Sequence, residues 1–185
     1  MRRDTATGVL RDDHQMILKV LDAMDGIFGA PRGSLDFEAV REAITFLRLY
    51  ADACHHGMEE DALFPELENQ GIPSEGGPVA SLLEDHRTGR GFVSEMSNSV
   101  DAAEDGDAGA EQALRQAAAN YVDLLRGHID REDLGVFEMA DNMVTGDACR
   151  TLCDAYEEIC SMKFEGKTKD DLAELAESLA ARFPG

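Results

Sequence analysis

Four stretches of this chain repeat apolar residues at helical spacing, and each sets one histidine on its apolar stripe. In residues 6–28 the stripe is Leu10, His14, Ile17, Leu21, Met24 and Phe28; in 36–68 it is Phe37, Val40, Ile44, Leu47, Ala51 and Met58. Residues 78–103 carry Val79, Leu82, Leu83, His86, Val93, Met96 and Val100, and residues 110–143 carry Leu114, Ala117, Tyr121, Leu124, Leu125, His128 and Met139. Such stripes fit the period of an α-helix and must be buried against something. Alternating β-branched runs are missing, and the chain has no Trp. The pattern predicts an all-α protein, an antiparallel four-helix bundle.

Turn chemistry agrees with these limits. Gly29–Gly33 ends the first helix, Ser34 and Asp36 can cap the second, and Pro65 is expected to kink or end it. NQGIPSEGGP (69–78) is a connector that leaves Pro78 in the first turn of the third helix, and DAAEDGDAGA (101–110) reads as a polar, flexible link. Residues 146–185 read as two shorter helices separated at Glu165–Thr168. The expected organisation is therefore a bundle over 1–145 and a helical extension over 146–185 packed on it.

The stretch CHHGMEEDALFP (54–65) offers two His-x-x-x-Glu pairs, offset by one residue. On a wheel turning about 100° per residue with His55 at zero, the apolar stripe falls between about −80° and 0°, and Glu59 sits at about +40°. His56 falls near +100° and Glu60 near +140°. His55 and Glu59 are thus expected to face inward, and His56 and Glu60 the rim or solvent. Tyr50 falls opposite His55 and is expected to be exposed, whereas Tyr121 lies on the inward stripe and packs. His128 lies on its own stripe with Glu132 one turn later. The candidate metal ligands are His14, His55, Glu59, His86, His128 and Glu132. One zinc ion needs only four ligands, so six suggest two metals bridged by carboxylates. Imidazole with carboxylate suits iron, manganese or zinc.

The chain has 185 residues, enough for one sizeable core, and a net charge of −21. That field disfavours nucleic acid and anionic membrane as partners. No apolar run is long enough to span a membrane, and MRRDTATGVL has no apolar signal region, so a cytoplasmic location is expected. Cys149, Cys153 and Cys160 share one helix face and Cys54 precedes His55; thiols packed as small apolar groups are expected, without a disulfide. No phosphate-cradling glycine loop or Ser/His/Asp arrangement is present, and the ligands name no catalytic residue.

The motifs DDH (12–14), HHGMEEDALFPEL (55–67), EDHRTGR (84–90) and HIDREDLGVFEMAD (128–141) together resemble the hemerythrin-like HHE cation-binding proteins over roughly residues 8–143. The resemblance implies a non-haem di-iron centre bridged by two glutamates, with manganese or zinc as substitutes on purification. Oxygen-carrying hemerythrins have His-x-x-x-His on the third helix, whereas here Arg90 stands four residues after His86. The expected consequence is one more open coordination position, suited to redox chemistry with O2, NO or peroxide. Arg90 is expected to pair with a surface carboxylate or line an access route. The ligand set also resembles that of proteins linked to repair of iron–sulfur centres, although the cysteine-containing N-terminal module often found there is not expected here. The expected function is a di-iron protein that binds, senses or reacts with a small diatomic ligand or peroxide. Iron handling for cluster repair, and a bundle merely cemented by metal, are the alternatives.

Overall fold

The computed structural model describes residues 5–161 and 165–185; Arg2 and Arg3 of the MRRDTATGVL stretch lie outside them. Helix α1 is Gly8–Phe28. Rod α2 spans 37–69: α-helical at Phe37–Phe46, π-helical at Leu47–His56 and Glu59–Leu63, and α-helical again at Phe64–Asn69. Helix α3 is Pro78–Glu104, and rod α4 spans 108–143, α-helical at Ala108–Arg131 and Phe137–Met143 with a π-helical turn at Glu132–Val136 between them. Two shorter helices follow, α5 at Gly146–Ser161 and α6 at Lys169–Arg182. Among the described residues there is no strand, and the protein is all-α. No described helix is long and apolar enough to cross a membrane.

Local chemistry sets the ends of these rods. The Asp36 carboxylate accepts the Ala39 N–H at the start of α2, and Asp107 accepts those of Gly109 and Ala110 at the start of α4. Thr168 and Asp171 form a reciprocal cap on α6. The link between α3 and α4 is far tighter than a flexible 101–110 connector. Helix continues to Glu104 and resumes at Ala108, because Gly106 takes a φ of 94° and the Asp107 N–H returns to the Ala102 carbonyl. Asp107 closes one helix and caps the next, so three residues suffice. Pro65 does not end α2; it falls in the first turn of the last α-helical segment, where a missing N–H is tolerated.

The apolar stripes merge into one core that includes Leu10, Ile17, Leu21, Leu47, Met96, Leu114 and Tyr121. Helix α6 packs on α1 and α2, while α5 lies against the π-helical segments of α2. A disulfide joins Cys54 of α2 to Cys160 of α5, with Cα atoms 4.8 Å apart, and so corrects the expectation of unpaired thiols. Its two cysteines are 106 residues apart, beyond the reach of a pattern read along one helix face. Cys149 and Cys153 are buried and outside the disulfide.

Candidate metal centre

Each long rod contributes to one buried polar cluster inside the apolar core. His14, His55, Glu59, His86, His128 and Glu132 are all at most 1% exposed. They arrive from α1, α2, α3 and α4, and the structure brings all six together in two overlapping groups. In the first, His14, His55, Glu59 and Glu132 offer ligand atoms within 4.8 Å of one another; in the second, His56, Glu59, His86 and His128 do so. Glu59 belongs to both. Its Oε1 lies 3.5 Å from His55 Nε2 and its Oε2 lies 3.4 Å from His86 Nε2. Glu132 also faces both groups, with its Oε2 3.2 Å from the Nε2 atoms of His14 and of His128.

His56 is the residue that the helical wheel misplaced. It is 3% exposed, its ring stacks on His86 at 3.9 Å, and its Nε2 is buried without a hydrogen bond. The reason lies in the backbone. A π-helix closes i→i+5 hydrogen bonds and turns less per residue than the about 100° of an α-helix. Over Leu47–His56 the shortfall accumulates, so a wheel set by Phe37 and Val40 no longer describes His55 and His56, and both face inward. Tyr50 is also buried, 3% exposed and not exposed as expected, for a different reason: its hydroxyl donates to Asp13 of α1 at 2.8 Å and Lys169 of α6 lies 5.3 Å over its ring, so other helices cover that face. One sequence signal did favour His56, since Glu59 follows it at i+3, which is also a same-face spacing.

Behind the imidazoles stands a layer of carboxylates. The Nδ1 of His14 lies 3.0 Å from Asp133, that of His56 3.3 Å from Asp52, that of His86 2.7 Å from Glu60 and that of His128 3.4 Å from Asp85. Asp13 sits farther from His55 Nδ1, at 3.9 Å. A carboxylate that takes the Nδ1 proton leaves the Nε2 lone pair free to point at the centre of the cluster. Each carboxylate is in turn held by a cation. Arg90 reaches both Asp52 and Glu60 at 2.7 Å, Arg11 holds Asp133, Arg131 holds Asp85, and Lys169 holds Asp13. Burial pushes the carboxyls of Asp52 and Glu60 up, but the imidazole and Arg90 beside each outweigh it and bring both down to about 2. Both are anions at neutral pH. Arg90 therefore pairs with carboxylates, and it also lines a cavity of about 270 Å³ against His56, with Leu47, Gly89, Val93 and Tyr121. Tyr121, 2% exposed, packs as expected.

Without a cation in its middle this cluster is costly. His14 Nε2, His56 Nε2 and all four carboxylate oxygens of Glu59 and Glu132 are buried without a hydrogen bond. Unpaired buried charge of that kind is strongly unfavourable. Burial and the neighbouring Glu132 push the Glu59 carboxyl well above its usual range. Burial also acts against ionisation of Glu132, but His128 and His14 on either side hold its carboxyl low. Burial drives the His55 imidazole well below its ordinary value and His56 down to about 3, so both are neutral, metal-competent bases. The Nε2 atoms of His86 and His128 face each other at 3.2 Å, a spacing that a shared cation or a single trapped proton would reconcile. Imidazole nitrogens and carboxylate oxygens, orphaned and convergent, fit a pair of divalent or trivalent transition-metal ions.

Comparison with known proteins points the same way. The model of the hemerythrin HHE cation binding domain matches residues 5–140. Three curated mycobacterial proteins, one from Mycobacterium bovis and two from strains of Mycobacterium tuberculosis, are each 26% identical over 121 residues and are described only as uncharacterized. The matches cover 65% of this chain and 46% of each relative, so the chain spans about half the length of the curated relatives it matches. No solved structure matches.

Proposed function

Because the chain belongs to the hemerythrin HHE cation-binding family, we propose that it is a non-haem di-iron protein that binds, senses or reacts with O2, NO or peroxide at a carboxylate-bridged site. The observation that carries this reading is the position of Glu59, one oxygen toward each of two histidine groups. In this reading His14 and His55 would hold one iron, His56, His86 and His128 would hold the other, and Glu59 and Glu132, which face both groups, would be shared between them. When bound, the iron pair supplies redox equivalents and exchangeable positions for small ligands.

The chain's own residues do the rest. His56 offers the imidazole that Arg90 cannot, so the extra opening inferred from the third helix is filled from α2. Arg90 instead clamps Asp52 and Glu60, which fix the rings of His56 and His86. The imidazoles divide unequally: three would hold one ion and two the other. The cavity beside His56, walled largely by apolar groups, suits the passage of a small uncharged molecule better than that of a bulky or charged one.

Metal analysis of anaerobically prepared protein, followed by optical spectra on addition of O2, NO or hydrogen peroxide, tests the proposal. The expected result is two irons per chain and a distinct spectral change with at least one of the three. Substoichiometric iron, or a fully loaded protein inert to all three, would overturn it; inertness with full loading would leave a bundle merely cemented by metal.

A further inference from the structure

Cys54 immediately precedes His55 in the π-helical segment and is fully buried, whereas its partner Cys160 is half-buried. Cys160 lines a cavity of about 590 Å³ together with Asp13, Met58, Tyr156, Lys167 and Lys169. Among the described residues this is the only disulfide, and it ties α5 to the rod that carries His55, His56 and Glu59. A second tie converges on the same histidine. Lys169, the first residue of α6, holds Asp13 at 2.6 Å, and Asp13 lies 3.9 Å from His55 Nδ1. The C-terminal helices thus grip the His55 side of the cluster at two points, one covalent and one ionic.

We propose that Cys54–Cys160 is a thiol–disulfide exchange site that takes a dithiol reductant through this cavity, with Cys160 as the attacked sulfur. A thiolate of the reductant forms a bond to Cys160 Sγ. The Sγ–Sγ bond breaks, and Cys54 leaves with the electron pair and takes up a proton. The second thiol of the reductant, as thiolate, then attacks its own sulfur in the mixed disulfide and releases Cys160, which is protonated in turn. The reductant ends as a disulfide and the two cysteines as thiols, a transfer of two electrons. The order of attack follows from access, because Cys54 is sealed in the core and Cys160 borders open volume. Lys167 and Lys169 line the cavity beside Asp12, Asp13 and Glu157, so access to Cys160, not a net charge, directs the reductant. Reduction leaves the arm held by non-covalent contacts alone, among them the Lys169–Asp13 pair and the Tyr156 hydroxyl that donates to the Ala6 carbonyl at 3.2 Å. The effect on iron, which rests on the di-iron reading above, is easier loss from the His55 side.

The test uses the air-oxidised full-length chain, metal-free and iron-loaded. Dithiothreitol is added under native conditions, free thiols are capped with a maleimide, and the labelled positions are read by mass spectrometry. Cys160 should become labelled well before Cys149, Cys153 and the sealed Cys54, and at least about tenfold faster than the chain unfolds globally. Reduction no faster than unfolding, or labelling that begins at Cys149 or Cys153, would overturn the proposal. In Cys54→Ser, Ellman's reagent should release one equivalent of thionitrobenzoate from the native protein at Cys160; an inert Cys160 in a folded variant counts equally against it, and the wild-type kinetics stand if the variant does not fold. In the iron-loaded protein, reduction should speed iron loss to a chelator about tenfold, in the range found when groups that orient metal ligands are disturbed. An unchanged rate after complete reduction would sink the coupling to His55. Exchange in the metal-free chain is independent of iron, so failure there is distinct from failure to load iron.

Discussion

The two halves of the buried cluster are built by different parts of the molecule. On the side of His56, His86 and His128, every supporting group comes from the bundle rods: Asp52 and Glu60 share Arg90, and Asp85 is held by Arg131. On the side of His14 and His55, Asp133 and Arg11 support one ring, but the other faces Asp13, whose cation comes from α6. The first half is self-contained. The second is completed by the C-terminal helices, through Lys169 and through the disulfide at Cys54. An extension that reads from sequence as an appendage is therefore part of the wall of the site. The asymmetry predicts that metal occupancy on the two sides responds to different perturbations.

The largest effect is expected where the halves meet. Glu59→Met removes the carboxylate that sends one oxygen toward each histidine group, and iron content should fall from two per chain to near zero. The same substitution removes a buried carboxyl with no hydrogen bond on either oxygen, so the metal-free fold should gain about 1–3 kcal/mol. Loss of iron together with a rise in the urea midpoint of the apo-protein is the expected signature. A variant that loses stability along with iron would mean that Glu59 has a structural partner in the metal-free state. Next in size is the contrast between His56→Ala and His14→Ala. Each should bring iron toward one per chain, with the survivor on opposite sides, which Mössbauer spectra of the remaining iron distinguish. Retention of both irons in His56→Ala would break the three-against-two division. Smaller again is Arg90→Ala, which frees Asp52 and Glu60 and should weaken binding on the His56 side by about tenfold in competition with a chelator. Lys169→Ala should do the same on the His55 side alone.

How much of this was legible in the sequence depends on how faithfully a segment keeps the α-helical period. Helix α1 and the first part of α4 keep it, and their stripes place His14 and His128 where the structure has them. Capping residues such as Asp36 and Pro78 marked helix starts closely, because their hydrogen-bonding is local. Rod α2 does not keep the period. Its π-helical turns carry no compositional signal, so a regular wheel puts His56 on the wrong face; Tyr50 is buried by α1 and by Lys169 of α6, a tertiary contact that its own rod does not announce. Asp13, Glu60 and Asp85 are visible in DDH, HHGMEED and EDH only as acidic neighbours of a histidine; that these three and Asp133 support rings on other rods is a tertiary fact, whereas Asp52 stands one turn before His56 on the same rod. The Cys54–Cys160 bond is of the same kind, since neither cysteine has any local mark of the other.

The smallest predicted effect uses pH to read the two halves in the metal-free chain. His56 is driven by burial to about 3, whereas in the unfolded chain an imidazole titrates near 6.5. Below about pH 6.5 the unfolded state binds the proton that folded His56 refuses, so stability falls as the pH drops from there toward 3. His55, lowered by the same cause, acts in the same sense. His14 acts in the opposite sense. Burial works against its charge, but Asp133 and Glu132 prevail and raise it to about 8. Its contribution is present in full below about pH 6.5 and is lost as the pH rises through about 8. The melting temperature of the metal-free chain should therefore pass through a maximum near neutrality. His56→Ala should flatten the acid limb and His14→Ala the alkaline limb, each by about 2–4 °C per kcal/mol of linked stability. Identical flattening by both variants would mean that the two halves titrate as one unit, and the asymmetry drawn from their supporting residues would then have no energetic counterpart.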